Sequence, residues 1–274
     1  MAGILNSLFA TSKVRTFTTV STNYPVTSGN SLFESIAGLV VKAAGEGANT
    51  NLCYKTNIVT TPGTWTAGAN YPITVSGPFS ANWNNKIYGV GGAVVTGVYS
   101  TTTAAASWTT EAALPGTAYW HTTTNYGPNT GIVKVAGFST RVSTFNGTAW
   151  TATTAFPISG AFNGAADING RTYIVGSSTS EANTTGNYSS VGYGSWTVET
   201  ARAYSSRRNH CTNLGGKLTH LGGETMTNIY TYSGTGGTWT VGIATYSTGG
   251  SYNITTEPGV AAYGTTGATV WKYS

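Results

Sequence analysis

Charge is what this sequence most conspicuously lacks. Only 8% of its 274 residues are charged, and its eight acids include a single aspartate, Asp167. Chemistry that cleaves a bond between two flanking carboxylates is poorly served by such a composition. The net charge of +5 reflects the missing acids more than a basic surface, so no nucleic-acid partner is expected. Cysteine is scarce too. Cys53 and Cys211 stand far apart and make neither a disulfide framework nor a C-x-x-C zinc site. They read as small apolar strand residues. No apolar run approaches the roughly 20 residues of a membrane span. The start, MAGILNSLFATSK, lacks a basic n-region and a clear cleavage site, so no signal peptide is read there. Long amphipathic helices are absent. Residues 30–42 invite a helical reading, but alignment with the rest of the chain makes residues 31–45 a strand hairpin turning at Ala37-Gly38.

What is abundant is glycine (37), tyrosine (17), tryptophan (8) and phenylalanine (8), set among threonine and serine. This suits short pleated strands and argues against disorder. A dipeptide keeps time along the chain: Trp65-Thr66, Trp108-Thr109, Trp150-Thr151, Trp196-Thr197 and Trp239-Thr240, at steps of 43, 42, 46 and 43 residues. A period of about 40–50 residues with strand-forming composition indicates propeller blades. Between successive tryptophans lie a tight turn, a glycine position and an aromatic. The turns fall at Asn84-Asn85, within 128–131, at Asn169-Gly170, at Gly215-Gly216 and at Pro258-Gly259. The glycines are Gly45, Gly91-Gly92, Gly137, Gly176 and Gly222-Gly223; the aromatics are Tyr54, Tyr99, Phe145, Tyr188 and Tyr230.

After Trp239 the pattern reaches three strands and the sequence stops, whereas Phe17 near the start stands where a repeat tryptophan would. The expected fold is therefore all-β: a six-bladed β-propeller of four-stranded antiparallel blades, its ring closed by the N-terminal strand. The blades are read at 17–65, 65–108, 108–150, 150–196, 196–239, and 239–274 together with 13–20, after an arm of residues 1–12.

The double glycine after an apolar strand, then a tyrosine, then a tryptophan, resembles the kelch repeat. GVGG with Tyr99 and Trp108, and HLGG with Tyr230 and Trp239, carry the likeness best. Repeats one, three and four keep one glycine. What the resemblance implies is a kelch-type propeller. Such propellers serve mostly as interaction modules, with a minority of enzymes of the galactose oxidase and sialate mutarotase types.

Strand alternation places the loops after each blade's second and fourth strands on one face, which is loop-rich, and the tight turns on the other. On the loop-rich face Arg202, Arg207, Arg208 and Lys217 cluster beside His210, with no acid from 201 to 220. Arginine makes bidentate contacts to carboxylate or phosphate, so this is the candidate patch for an anion or an acidic partner. Tyr119, Trp120 and Tyr204 lie outside the repeat positions and are candidates for stacking on sugars or anchoring a protein interface. Trp83, before a hairpin turn, reads as packing between blades. His121 and His210 are expected at equivalent places on the channel-side strands of blades three and five, with no acid or thiol at a ligand spacing. Neither the copper-site set of the galactose oxidase type nor a His-acid triad can be placed. No catalytic residue, cofactor or metal is therefore expected.

The expected role is a non-enzymatic binding or assembly module. The nearly uncharged Thr/Gly/Ser/Asn composition resembles structural proteins of bacteriophage particles. That implies a virion location in a tail, fibre or capsid surface, with other virion proteins or a host-surface glycan as partners. The alternatives are a secreted glycan-binding lectin and, behind it, a kelch-type carbohydrate enzyme.

Overall fold

The computed structural model describes residues 17–21, 25, 31–36, 38–45, 50–57, 64–102, 105–117, 121–126, 130–135, 137–159, 164–176, 187–202, 210–223, 226–245, 253–257, 261–266 and 269–273. All regular structure among the described residues is β. After β1 (Phe17–Ser21), the first blade comprises β2 (Leu32–Ile36), β3 (Leu39–Ala43), β4 (Cys53–Asn57) and β5 (Thr66–Ala67). The second comprises β6 (Phe79–Trp83), β7 (Lys86–Val90), β8 (Val98–Thr101) and β9 (Thr109–Thr110). The third is β10 (Thr122–Tyr126), β11 (Gly131–Val135), β12 (Val142–Phe145) and β13 (Trp150–Ala152). The fourth is β14 (Gly164–Ile168), β15 (Arg171–Val175), β16 (Asn187–Val191) and β17 (Thr197–Val198). The fifth is β18 (His210–Leu214), β19 (Lys217–Gly223), β20 (Met226–Tyr232) and β21 (Trp239–Thr245).

Each blade is an antiparallel meander, so the chain is a β-propeller of four-stranded antiparallel blades. Five blades are found, each from one continuous run of chain, where six were expected with the last completed by residues 13–20. The remaining strands, β22 (Asn253–Glu257), β23 (Ala261–Thr266) and β24 (Thr269–Tyr273), form a four-stranded sheet only by taking β1 from the other end of the chain, with Phe17 opposite Tyr273. The physical reason is strand supply: this sheet draws its fourth strand from β1 rather than from the run that holds β22, β23 and β24. The arm at residues 1–12 lies outside the described residues.

The tight turns take the conformation their residues favour. Asn84-Asn85, Asn169-Gly170 and Gly215-Gly216 all have positive φ, from 49° to 80°, as two-residue type I′ hairpins require. Asp167 Oδ1 accepts from Gly170 N and Asn213 Oδ1 from Gly216 N, both at 3.0 Å, so the lone aspartate caps a hairpin. Residues 32–43 form the expected hairpin rather than a helix.

Three devices fasten consecutive blades, the second of them at three of the four junctions. The first uses the repeat tryptophan. Its indole Nε1 donates to the carbonyl four residues beyond the preceding blade's tryptophan: Trp108 to Ala69 and Trp150 to Ala112 at 2.9 Å, Trp239 to Thr200 at 3.0 Å, Trp196 to Thr154 at 3.4 Å. The second uses side chains on the inner strands. Ser80 Oγ donates to Phe33 O and Asn82 Nδ2 to Ser35 O; Thr123 repeats the first on Ser80 O and Asn213 the second on Asp167 O. The third is a plug six residues after the tryptophan, buried against the next blade: Tyr71, Leu114 and Phe156. Tyr71 lies edge-on to Tyr99 and Trp108, at 5.2 and 4.9 Å; Phe156 repeats this with Tyr188 and Trp196, at 5.0 and 4.9 Å. Trp83 packs as expected, against Phe145 and over Gly147 of the following blade.

Candidate functional site

The plug series breaks at the interface between the fourth and fifth blades. Six residues after Trp196 stands Arg202, 3% exposed. The residue it meets in the next blade is changed with it. In the second blade this place belongs to Gly89, where a Cβ would lie 2.5 Å from the Tyr71 hydroxyl. In the fourth it belongs to Ile174, in one core cluster with Phe156. In the fifth it belongs to His220, fully buried, whose Nε2 accepts a hydrogen bond from Arg202 Nη1 at 3.0 Å. That acceptance fixes the proton of a neutral ring on Nδ1.

The strand register makes the equivalence strict. Gly89, Ile174 and His220 each pair with the second residue of their blade's inner strand, namely Ser80, Ala165 and Cys211. An apolar contact has thus become a polar, basic one. Burial, then the charge of Arg202, then that of His210 push the His220 pKa well below its usual value. Cys211 sits beside them. Burial pushes its thiol up to about 12, only partly offset by Arg202, so it is an inert thiol rather than a nucleophile. Arg202, His210, Cys211 and His220 therefore form one cluster under the loop-rich face. Its chemistry is that of fixed donors and positive charge, suited to holding an acceptor or an anion.

Of the residues singled out from the sequence, the structure brings Arg202 and His210 together and adds His220. Arg202 is part of the blade interface rather than a solvated loop side chain, which corrects the expectation of a surface patch. Arg207, Arg208, Tyr204, Tyr119 and Trp120 lie outside the described residues. Lys217 is exposed at the hairpin on the opposite face, which removes it from the cluster. His121 and His210 are not equivalent. His210 is the first residue of β18, whereas His121 precedes β10, and one step along a strand turns a side chain to the other face. Phe145 is not the third blade's counterpart of the repeat tyrosines either. Opposite the same register position stand Tyr54, Tyr99, Tyr188 and Tyr230, and in the third blade Ser143.

Two described glutamates serve the framework. Glu199 accepts from Ser189 Oγ at 2.5 Å and from Tyr232 Oη and Gly236 N at 3.0 Å. In the second blade Glu111 takes Ser100 Oγ and Lys86 Nζ, at 2.5 and 3.3 Å. Sequence reasoning missed this pair, although both follow a repeat tryptophan by three residues. Among the described residues no group of three His, Cys, Asp or Glu is placed to hold a metal ion.

No family model matches the sequence. No curated protein matches it. Among solved structures the chain is similar to one described as "Structure of YjhT", with a TM-score of 0.72 and 14% identity, covering 90% of this chain and 93% of that one. At that identity the likeness speaks to the propeller fold alone.

Proposed function

We propose that this chain is a non-enzymatic binding and assembly module of a phage particle, built as a kelch-type propeller whose composite sheet acts as the sixth, ring-closing blade. Ring closure is supported by β22, which neighbours both β18 and β2. The kelch reading is supported by the glycine pair Gly91 and Gly92, at φ 59° and 131°. At Gly92 a Cβ would lie 2.4 Å from Val75, so the backbone needs glycine there.

The observation that carries the binding reading is the exchange of an apolar plug for the Arg202–His220 pair. Departures from a locally consistent pattern concentrate at functional sites. Here the departure adds basic donors under the loop-rich face, while Glu111, Asp167 and Glu199 are occupied in the framework. The partner surface is acidic, and the cluster with Arg207 and Arg208 meets it.

A mass-spectrometric inventory of purified particles from the source tests the role. The chain is expected in fixed stoichiometry with other particle proteins. Recovery as a free secreted protein whose binding is competed by simple sugars would refute assembly and favour the lectin. At the residue level, Arg207→Ser with Arg208→Ser is expected to weaken partner binding and flatten its salt dependence, with Tm unchanged. Arg202 is left intact in that variant because it holds the blade interface.

A further inference from the structure

The third blade departs from the repeat at a second place, independently of Arg202. On its third strand Ser143 replaces the tyrosine that blades one, two, four and five carry, and it pairs across the ladder with Lys134. Directly opposed residues of neighbouring strands have Cβ atoms about 5 Å apart on one face. Lys134 is 1% exposed and Ser143 is fully buried. Neither Lys134 Nζ nor Ser143 Oγ has a hydrogen-bond partner among the described residues.

His121 joins them. It stands two residues before Thr123, the ladder partner of Lys134, and so projects from the same face, toward the second blade. Its Nε2 donates to Val90 O at 3.1 Å, which leaves Nδ1 as the free position of a fully buried ring; Nδ1 too has no partner among the described residues. The charge felt by His121 is that of Lys134, and the charge felt by Lys134 is that of Arg141. The second blade faces this place with Tyr88, Val90, Val98 and Leu114. Its ionic pair, Lys86 with Glu111, is closed upon itself and Ser100. Three buried polar atoms without partners on one sheet face require an explanation, and a buried ammonium without a counter-charge is costly.

We propose that Lys134, Ser143 and His121 form a binding site for a small oxyanion between the second and third blades. The ammonium and the serine hydroxyl each donate to an anion's oxygens. His121 adds a third donor when Nδ1 takes up a proton, because its Nε2–H is already committed to Val90. The bulk of the tyrosine ring found in the other four blades is absent where the anion sits. Burial and the neighbouring positive charges hold Lys134 at about 8 and His121 at about 3 on their own. Anion binding therefore draws protons onto the site and strengthens as pH falls.

Inorganic sulfate is the probe, because it does not titrate in the range concerned. Calorimetric titration of the whole chain with sodium sulfate, against sodium chloride at equal ionic strength, is run from pH 6 to pH 9. Saturable binding to one site is expected, weakening by about tenfold per pH unit above 8 for a single linked proton. Lys134→Met removes the ammonium, and Ser143→Tyr restores the ring of the other blades; each is expected to abolish binding. If Lys134→Met fails to fold, Ser143→Tyr decides alone. No saturable sulfate binding, binding without pH dependence, or undiminished binding in the folded variants would overturn the proposal.

Discussion

Replacing Glu199 with glutamine probes the strongest polar cross-link between two blades. The carboxylate joins β16 of the fourth blade, through Ser189, to Tyr232 and Gly236 of the fifth. Arg171 Nη1 donates to the same serine oxygen at 2.8 Å. Burial alone would raise the Glu199 pKa; the bonds from Ser189, Gly236 and Tyr232, with the charge of Arg171, outweigh it and hold the group below its ordinary 4.5. A folded-state pKa below the unfolded one contributes stability that is complete above the unfolded value and is lost as pH falls through the folded one. Hydrogen bonds to a charged group contribute about 1.5–3 kcal/mol each, and breaking a buried charged network costs about 3–5 kcal/mol. Glutamine keeps one oxygen but presents an amide donor to groups that are themselves donors. Glu199→Gln should therefore cost about 3 kcal/mol at pH 7, and that difference should shrink at an acid pH well below the ordinary 4.5. Glu111→Gln is the internal comparison. Its lysine partner is 39% exposed, and the residue in register with Tyr232 is Phe145, which has no hydroxyl. About 1 kcal/mol or less is expected there. Urea unfolding followed by circular dichroism at both pH values measures each loss. Equal losses in the two variants, or a pH-independent loss at Glu199, would refute the reasoning.

Three further outcomes are expected. Trp150→Phe keeps the ring stacked on Phe145 but removes the donor to Ala112; urea unfolding should show a loss of about 1–2 kcal/mol, larger than for Trp196→Phe, whose bond is 3.4 Å long and exposed. In chloride, the lysine at position 134 holds its proton up to 10.5 when unfolded but only to about 8 when folded. Stability should therefore climb as pH rises from about 8 to 10.5 and stay level just below 8; a Lys134→Met variant should lack that climb in pH-dependent thermal melts. Gly89→Ala places a Cβ 2.5 Å from the Tyr71 hydroxyl and 2.7 Å from Leu32 Cδ1, costing about 1–3 kcal/mol, part of which Tyr71→Phe in the same chain should restore.

The blades were legible in the sequence because the feature that repeats is the one that fastens them. An indole nitrogen that must reach one carbonyl of the preceding blade tolerates little drift, so the Trp-Thr period stays within a few residues. The hairpins were legible because two consecutive positive φ values confine the choice to asparagine and glycine. The third strand of the third blade was not. Between Gly137 and Trp150 the aromatics are Phe138, beside the glycine, and Phe145, and only the ladder, with Ser143 opposite Lys134, shows that the ring has moved two residues along. Arg202 was found as a charge and misplaced as a surface residue, since an arginine near two others in a loop looks solvated. The signal that could have placed it is its spacing. Six residues after each repeat tryptophan the chain reads Tyr71, Leu114, Phe156 and then Arg202, a buried series that an arginine interrupts.

That series also explains how a propeller can carry a basic pair in an interface without opening. Each junction between consecutive blades has the indole bond and a residue at the plug position, three of the four also have an inner-strand bond, and the plug is the one whose chemistry differs from blade to blade. Between the fourth and fifth blades the first two remain in place: Trp239 reaches Thr200 at 3.0 Å and Asn213 reaches Asp167 at 2.9 Å. The Glu199 cradle then adds two bonds from the fifth blade, Tyr232 Oη and Gly236 N. The junction that gives up its apolar plug is thus the one with extra polar fastening on the other side of the sheet. Exchanging Phe or Tyr for Arg202 sacrifices apolar burial of about 25 cal/mol per Å², and charged hydrogen bonds at about 1.5–3 kcal/mol each are of the size needed to offset it. A blade interface so reinforced can carry cationic donors at its loop-rich end while the two blades stay fastened.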